Sequence, residues 1–379
     1  MKKKKIVKPI IFLVLLVALV FVVRARVASE GGASSPQSPA VTAPVETEPV
    51  YEGDPEYFTL SAIGDCTIAP RQNSADFVNK VNGDFSYPFS NTVQYFNSDE
   101  FTIANLECTF SDQKLPYDYT VAMFYFIAGT EYANILTEGG VDFVTTANNH
   151  SYDFYQKGVD DTCAALDAIG MPYGIEDQSQ IVTSQNGIKF GIYCAYNNFK
   201  PDVSKATQAI KQLQAEGADY IICMFHWPSG ELIYTPTDAQ TETAHACIDA
   251  GADLIYGSHT HCLQPVEEYN GGVILYGMGN WSFGGSDMPT DPDTAIVQLT
   301  LRRDPDGSVS NDGITAIPCR VSSQAPDPSN TKAYAYNDYR PTPYEEGSAE
   351  YERTMSKLLG EYEGGGQPVD YSSWYANLG

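Results

Sequence analysis

The stretch Gly251-Ala-Asp-Leu-Ile-Tyr-Gly-Ser-His-Thr-His261 joins a short apolar run to a polar loop. The run, Leu254 to Tyr256, has the composition of a buried strand, and a helical pattern from Asp238 to Ala250 precedes it. Gly251 stands between the two, where the C-cap of a helix belongs. A helix, a buried strand and a polar loop in this order are typical of a layered α/β fold, in which ligands bind at strand ends.

The same alternation continues on both sides of this stretch. Further strand-like runs are Tyr57 to Ile63, Phe101 to Ala104, Val141 to Thr146, Ile188 to Cys194, Tyr220 to Phe225, Val273 to Tyr276 and Ala295 to Leu301. Further helical patterns are Ala75 to Val81, Glu131 to Glu138, Lys157 to Ile169 and Lys205 to Glu216. The sequence therefore predicts an α/β domain over residues 57–321.

Polar clusters follow five of the apolar runs directly. They are Gly64-Asp65, Asn105-Leu106-Glu107, Asn148-Asn149-His150, His226-Trp227 and Gly257-Ser258-His259-Thr260-His261. Four of the five histidines of the chain lie in these clusters. Carboxylate, amide and imidazole groups at successive strand ends are the ligands that divalent transition metals require, so the pattern predicts a metal site.

These clusters also carry a resemblance to a known family. The matching segments are Gly64-Asp65, Asn105-Leu106-Glu107, Ala147 to Asp153, His226-Trp227, Gly251 to Pro265 and Tyr276 to Phe283. In order and spacing they resemble the poly-gamma-glutamate capsule biosynthesis family of the CapA type, from about Phe58 to Val321. That family belongs to the calcineurin-like metallophosphoesterase superfamily. The resemblance implies a metallophosphatase-like sandwich of two mixed β-sheets flanked by helices.

Carried over by position, the resemblance implies a role for each site residue. The implied metal ligands are Asp65, Glu107, Asn149, His226, His259 and His261. Glu107 takes the place of a bridging carboxylate, and His150 that of an acid or electrostatic group beside the substrate. The superfamily has a His where Thr67 stands here, so one metal ion and two both stay open. The expected cofactor is a divalent ion of the Mn, Fe or Zn class.

Three side chains next to these motifs are candidates to line a substrate cleft, namely Trp227, Glu231 and Asn280. Trp227 has the alternative of packing in the core, and Asn280 that of shaping a turn. Asp153 either orients the His150 ring or caps the following helix.

The N-terminus has the features of an export signal. Residues 1–27 hold seven basic groups and no acid, and Pro9 to Val23 is an unbroken apolar run. Arg24 and Arg26 stand where a cleavage site prefers small neutral residues. We therefore expect an uncleaved signal anchor over residues 1–26, with cleavage as the alternative. A Ser-, Pro- and Ala-rich linker over residues 27–56 would tether the domain outside a bacterial cell membrane.

The charge, the C-terminal composition and the cysteine spacing restrict the binding partners and the fold further. Residues 28–379 carry 15 basic and 48 acidic groups, a net charge of −33, which argues against a basic surface for nucleic acid. Residues 322–379 are rich in Tyr and Pro, with one helical pattern near Ala349 to Tyr362. The eight cysteines lack CxxC spacing, and we expect most of them to be buried thiols.

Two alternative functions at the cell surface follow, the first from the ligand cluster and the second from the expected anchor and the absence of a His at position 67. The first is a metal-dependent hydrolase or phosphoesterase that acts on a capsule polymer such as poly-gamma-glutamate, with a metal that lowers the pKa of bound water to roughly 7. The second is a non-catalytic, membrane-anchored subunit that holds or exports the polymer beside a membrane synthase.

Overall fold

The computed structural model describes residues 53–71, 74–118, 124–196, 202–228, 230–325 and 336–364. The predicted anchor and the linker up to residue 52 lie outside these ranges. Within them, no helix is long and apolar enough to cross a membrane.

The described residues form sixteen strands and seven α-helices. The strands are β1 Glu56–Thr67, β2 Phe101–Leu106, β3 Thr109–Phe110, β4 Ile127–Ala128, β5 Phe143–Thr145, β6 Tyr173–Gly174, β7 Gln178–Thr183, β8 Lys189–Tyr196, β9 Tyr220–His226, β10 Leu254–Ser258, β11 Val266–Tyr269, β12 Gly272–Leu275, β13 Asn280–Phe283, β14 Asp293–Arg303, β15 Val309–Arg320 and β16 Thr342–Pro343. The helices are α1 Asp76–Val81, α2 Val93–Phe96, α3 Asn134–Glu138, α4 Tyr155–Ala168, α5 Val203–Ala215, α6 Asp238–Asp249 and α7 Ala349–Leu358.

The larger strands form two mixed sheets. The first sheet has the order β16-β15-β14-β1-β2-β5-β6, with β13 paired to the end of β1. The second has the order β11-β12-β10-β9-β8-β7. In each sheet, parallel strands adjoin antiparallel ones, as at β1, which is parallel to β2 and antiparallel to β14. The predicted α/β fold with two mixed sheets is confirmed.

The two sheets share one apolar core. Leu60 and Ile103 of the first sheet and Ile222 and Leu254 of the second are fully buried in the same cluster. The Tyr256 hydroxyl donates to the Ile63 carbonyl at 2.7 Å and so links β10 to β1. A second apolar cluster joins α5 and α6 to the second sheet, and a third joins α1, α3 and α4 to the first. Helices thus flank both sheets.

Local sequence signals set the ends of the flanking helices. The Asp202 side chain caps α5 by accepting from the amides of Ser204 and Lys205. Thr237 and Gln240 form a capping box at the start of α6. Gly251 follows α6 with a φ of 105°, the left-handed conformation predicted for its C-cap. The chain is thereby returned to the second sheet at β10.

The described residues form more strands than the sequence predicted, and two of the longest, β1 and β15, show the reasons. β1 was expected to end at Ile63 but continues to Thr67, because β13 pairs with its last residues and places Asp65 opposite Asn280. β15 was not predicted, since its exposed positions carry polar side chains typical of a loop. It pairs with β14 along most of its length.

The Tyr- and Pro-rich C-terminal segment contributes β16 and α7. β16 extends the first sheet by pairing with β15. α7 starts behind Ser348, whose hydroxyl accepts from the amide of Tyr351 at 3.2 Å. The helix ends at Leu358, earlier than the predicted Tyr362.

The cysteines are all free thiols. Seven are buried, and Cys163 is partly buried. Burial raises the pKa of Cys66 and of Cys262. The expectation of mostly buried thiols is confirmed.

Gly64 allows the closest approach between β1 and the turn before β13. The Asp65 amide donates to the Gly279 carbonyl at 2.8 Å, and a Cβ on Gly64 would lie 2.1 Å from that carbonyl oxygen. We expect Gly64→Ala to lower the free energy of unfolding by about 1–3 kcal/mol, as overpacking does. Urea denaturation measures this change in the free energy of unfolding. Gly313→Ala is the control, because its Cβ would meet Thr300 at an ordinary 3.9 Å. Equal midpoints for the two variants would contradict the prediction.

Candidate metal centre

The ends of four parallel strands bring the candidate ligands together. Asp65 lies near the end of β1, Glu107 directly follows β2, His226 ends β9 and His259 directly follows β10. All four side chains are buried. Asp65 pairs with Asn105 across the first sheet, and His226 pairs with Ser258 across the second. The site therefore lies where the ends of the two sheets meet.

The predicted ligands fall into two overlapping groups. Glu107, His226 and His259 offer ligand atoms that lie within 4.8 Å of one another. Asp65, Glu107 and His261 do the same. Glu107 belongs to both groups, which is the arrangement expected of a carboxylate shared by two metal ions.

One oxygen of the Glu107 carboxylate has no hydrogen-bond donor among the described residues. Its Oε2 accepts from the Thr67 hydroxyl at 3.1 Å, whereas its Oε1 is buried and unpaired. Oε1 lies 3.6 Å from Nε2 of His226. A buried, unpaired carboxylate oxygen is unfavourable, and a cation is the partner that removes the penalty. The Thr67 hydroxyl holds this carboxylate in place.

The imidazoles are oriented by partners on their other nitrogens. Nδ1 of His226 lies 2.9 Å from Oγ of Ser258, and Nδ1 of His261 lies 2.8 Å from Oδ1 of Asn280. A hydrogen-bond partner on one ring nitrogen fixes the orientation of the imidazole. His259 directs Nδ1 at Nε2 of His226, 3.0 Å away.

The electrostatics also suit a divalent cation. Burial, reinforced by the charge of Glu107, raises the pKa of Asp65 to about 7. Burial lowers the pKa of His226 well below its usual range and that of His259 to about 3, so both rings are neutral. Two mutually repelling carboxylates beside neutral imidazoles form a donor set that a divalent ion stabilises. The residues present therefore fit one or two such ions.

Two amides that sequence reasoning did not assign support the carboxylates. Asn105 donates to Oδ1 of Asp65 at 2.9 Å. Asn148 donates to Oδ1 of Asn105 at 3.1 Å and to the Leu106 carbonyl at 2.7 Å. Asn149, the predicted ligand, is exposed, so Asn148 is the amide that faces the cluster. The signal for Asn105 was a polar residue inside an otherwise apolar strand.

His150 lies beside a carboxylate. Its Nδ1 is 3.0 Å from Oδ2 of Asp153, and its ring centroid is 4.6 Å from that of Phe126. Although burial opposes the change, Asp153 raises the pKa of His150. The helix cap is Phe154, so of the two predicted roles for Asp153 the structure supports orientation of the ring.

The three predicted cleft residues have different surroundings. Trp227 is fully buried, stacks on Phe225 and donates to the Tyr276 carbonyl at 2.6 Å, so its prediction as a cleft residue is wrong. Asn280 is buried and contacts His261. Glu231 is a quarter exposed, and its Oε1 lies 3.5 Å from Nε2 of His259.

A sandwich of two mixed sheets with carboxylates and imidazoles gathered at its strand ends defines an α/β protein with a candidate dinuclear metal centre. The family model described as "Bacterial capsule synthesis protein PGA_cap" matches residues 59–284. The chain therefore belongs to this family, and the predicted resemblance is confirmed.

Two curated relatives are capsule or PGA biosynthesis proteins. The chain is 27% identical to the capsule biosynthesis protein CapA of Bacillus anthracis over 304 residues, 74% of this chain and 71% of that protein. It is 28% identical to the PGA biosynthesis protein CapA of Bacillus subtilis over 259 residues, 61% of this chain and 64% of that protein. Among solved structures, it resembles the NAD nucleotidase of Haemophilus influenzae with a TM-score of 0.43 and 13% identity, over 86% of this chain and 68% of that one.

Asn280 allows a direct test of the proposed ligand orientation. We expect Asn280→Ala to weaken Mn²⁺ binding by about 10- to 100-fold, because His261 loses the acceptor that fixes its tautomer. Chelator competition measures the affinity, and circular dichroism checks the fold. Asn79→Ala, on the exposed face of α1, is the matched control. Unchanged affinity in a folded Asn280→Ala variant would show that the contact does not orient a ligand.

Proposed function

We propose that this chain is a cell-surface, metal-dependent hydrolase that acts in the biosynthesis or processing of a capsule polymer of the poly-gamma-glutamate type. The observation that supports it best is the buried, unpaired Oε1 of Glu107, at the point where the two ligand groups meet. Membership in the capsule synthesis family supports the polymer as the substrate class.

The ligands divide between two neighbouring positions. Asp65 and His261 would hold one ion, His226 and His259 the other, and Glu107 would contact both. When bound, such ions polarise a carbonyl or phosphoryl oxygen and make water more acidic. Ser258, Asn280 and Asn105 keep the ligands oriented through the hydrogen bonds described above.

His150 is the proposed proton donor to the leaving group. Asp153 fixes its Nδ1, so that Nε2 is the nitrogen left to deliver a proton. The raised pKa of His150 keeps the ring protonated to a higher pH than that of a free imidazole. The side chain is 11% exposed, which is enough for contact with a substrate at the rim of the site.

The charge of the domain restricts how an anionic polymer binds. A net of −33 over residues 28–379 repels a polyanion at long range, with screening beyond about 8 Å at physiological salt. The metal ions and Arg71 would supply the local positive charge. The backbone of Arg71 forms an isolated β-bridge with Phe126, the residue whose ring packs on His150.

The alternative is a non-catalytic subunit for polymer export or anchoring. Thr67, which supplies no imidazole where the superfamily has one, favours this alternative. In both cases we propose a single-pass protein of the bacterial cell membrane, held by the apolar segment near its N-terminus with the main domain outside, beside a membrane synthase complex.

Metal content separates the two functions. We expect close to two equivalents of metal in the purified chain by mass spectrometry, almost none in Glu107→Ala and about one in His259→Ala, since Glu107 belongs to both groups. His245→Ala is the matched control, because His245 lies on α6 and contacts Glu267 instead. A folded wild-type chain with almost no metal after supplementation would favour the non-catalytic subunit.

Turnover tests the role of His150. We expect His150→Ala to lower kcat by about 10²- to 10⁴-fold while metal content is unchanged, because only proton transfer is lost. Hydrolysis of a synthetic γ-glutamyl oligomer and of a generic phosphodiester measures kcat. Asp153→Asn should lower kcat less, as it removes the orienting carboxylate and keeps the imidazole. Full activity of a folded His150→Ala variant would exclude the residue as the acid.

A further inference from the structure

A buried cluster of charges ties the C-terminal helix to the first sheet. Nζ of Lys357 lies 2.7 and 2.8 Å from the two oxygens of Asp291 and 2.8 Å from Oδ2 of Asp293. Arg353 donates to both oxygens of Asp293, at 2.6 and 2.7 Å. Lys357 is only 2% exposed. A buried cation is tolerated only where its partners are close, so this contact fixes α7 in one position.

Lys357 also reaches a loop that lies beside the candidate metal centre. Its Nζ is 4.8 Å from the ring centroid of Tyr234 and 5.1 Å from that of Tyr362. The two tyrosine rings contact each other edge to face at 4.8 Å. Tyr234 belongs to residues 230–235 of the β9–α6 connection, which we call the Glu231 loop.

The Glu231 loop rests on the segment that carries His259 and His261. The Leu232 amide donates to the Thr260 carbonyl at 2.8 Å, and Nε2 of Gln264 donates to the Ile233 carbonyl at 2.8 Å. Leu232 has a φ of 54°, a left-handed conformation that a branched residue keeps only when its surroundings impose it. Contacts on both sides therefore hold this loop.

The held loop places Glu231 against a candidate ligand. Oε1 of Glu231 lies 3.5 Å from Nε2 of His259, on the side of the ring away from His226. A carboxylate at the free nitrogen of a ligating imidazole sets the orientation and basicity of that ligand. His226 and His261 have Ser258 and Asn280 in the equivalent place.

We propose that Lys357 and Tyr234 are positioning residues, through which α7 clamps the Glu231 loop and holds Glu231 against His259. Helix α7 lies outside residues 59–284, the part of the chain that the family model matches. The C-terminal segment is then part of the functional unit of this chain. The effect on ligand affinity rests on the proposed metal centre, whereas the clamp itself does not.

The test uses the full chain and two routes to the same contact. The double variant Lys357→Met with Asp291→Asn removes the cation together with one partner, and it leaves Asp293 paired with Arg353. Tyr234→Ala removes the ring on the loop side. Tyr234→Phe keeps that ring, and Lys205→Met, which breaks a surface ion pair with Asp177, is the control for loss of a lysine. Hydrogen exchange follows the amides of the Glu231 loop, and chelator competition gives Mn²⁺ affinity.

We expect the double variant and Tyr234→Ala to speed exchange of the Leu232 and Ile233 amides by about tenfold or more. We also expect about tenfold weaker Mn²⁺ binding in both, with Tyr234→Phe and Lys205→Met close to wild type. Two outcomes in folded variants would overturn the proposal. In the first, only the α7 amides exchange faster. In the second, the amides of the Glu231 loop exchange faster but Mn²⁺ affinity stays the same. A wild-type chain that binds none of Mn²⁺, Fe²⁺ and Zn²⁺ would instead refute the proposed function, and the loop amides would still decide whether the clamp exists.

Discussion

The structure depends on keeping two carboxylates, Asp65 and Glu107, buried side by side. Burial and mutual repulsion raise the pKa of Asp65 to about 7, so the arrangement is unfavourable unless the fold imposes it. The parallel pairing of β1 with β2 and the amide of Asn105 impose it from the first sheet. The second sheet brings neutral imidazoles to the same place, and its Tyr256 ties it to β1. A centre for cations is the arrangement that relieves this repulsion.

The sequence predicted the alternation of strands and helices because apolar periodicity and glycine caps are local signals. It predicted most of the candidate ligands because they follow the apolar runs that become parallel strands. The predictions for Asn149 and Trp227 were wrong, because the direction of a side chain in a loop depends on packing with residues distant in sequence. Asn148 faces inward only because Asn105 and Leu106 offer it partners on another strand. Trp227 is buried because Phe225 and Tyr276 surround it.

The helix of the C-terminal segment was predicted, but its buried contacts were not, for a related reason. Its composition, rich in Tyr, Pro and charged residues, is that of a surface extension. Charged residues are buried only with partners, and the partners of Lys357 lie more than 60 positions away in sequence. No periodicity within α7 indicates such a contact. The same holds for Glu231, whose relation to His259 depends on a loop fastened at both ends.

The departure at Thr67 bears on both candidate functions. A lost imidazole would leave one metal position with fewer ligands and a weaker hold on its ion. In this chain the threonine hydroxyl instead donates to Oε2 of Glu107, which leaves Oε1 free toward His226. Glu107 is therefore held at one carboxylate oxygen and open at the other. A carboxylate fixed in this way is better suited to bind a cation than a freely rotating one, because less conformational entropy is lost when the ion binds. The side chain at the first motif thus orients the carboxylate that the two ligand groups share.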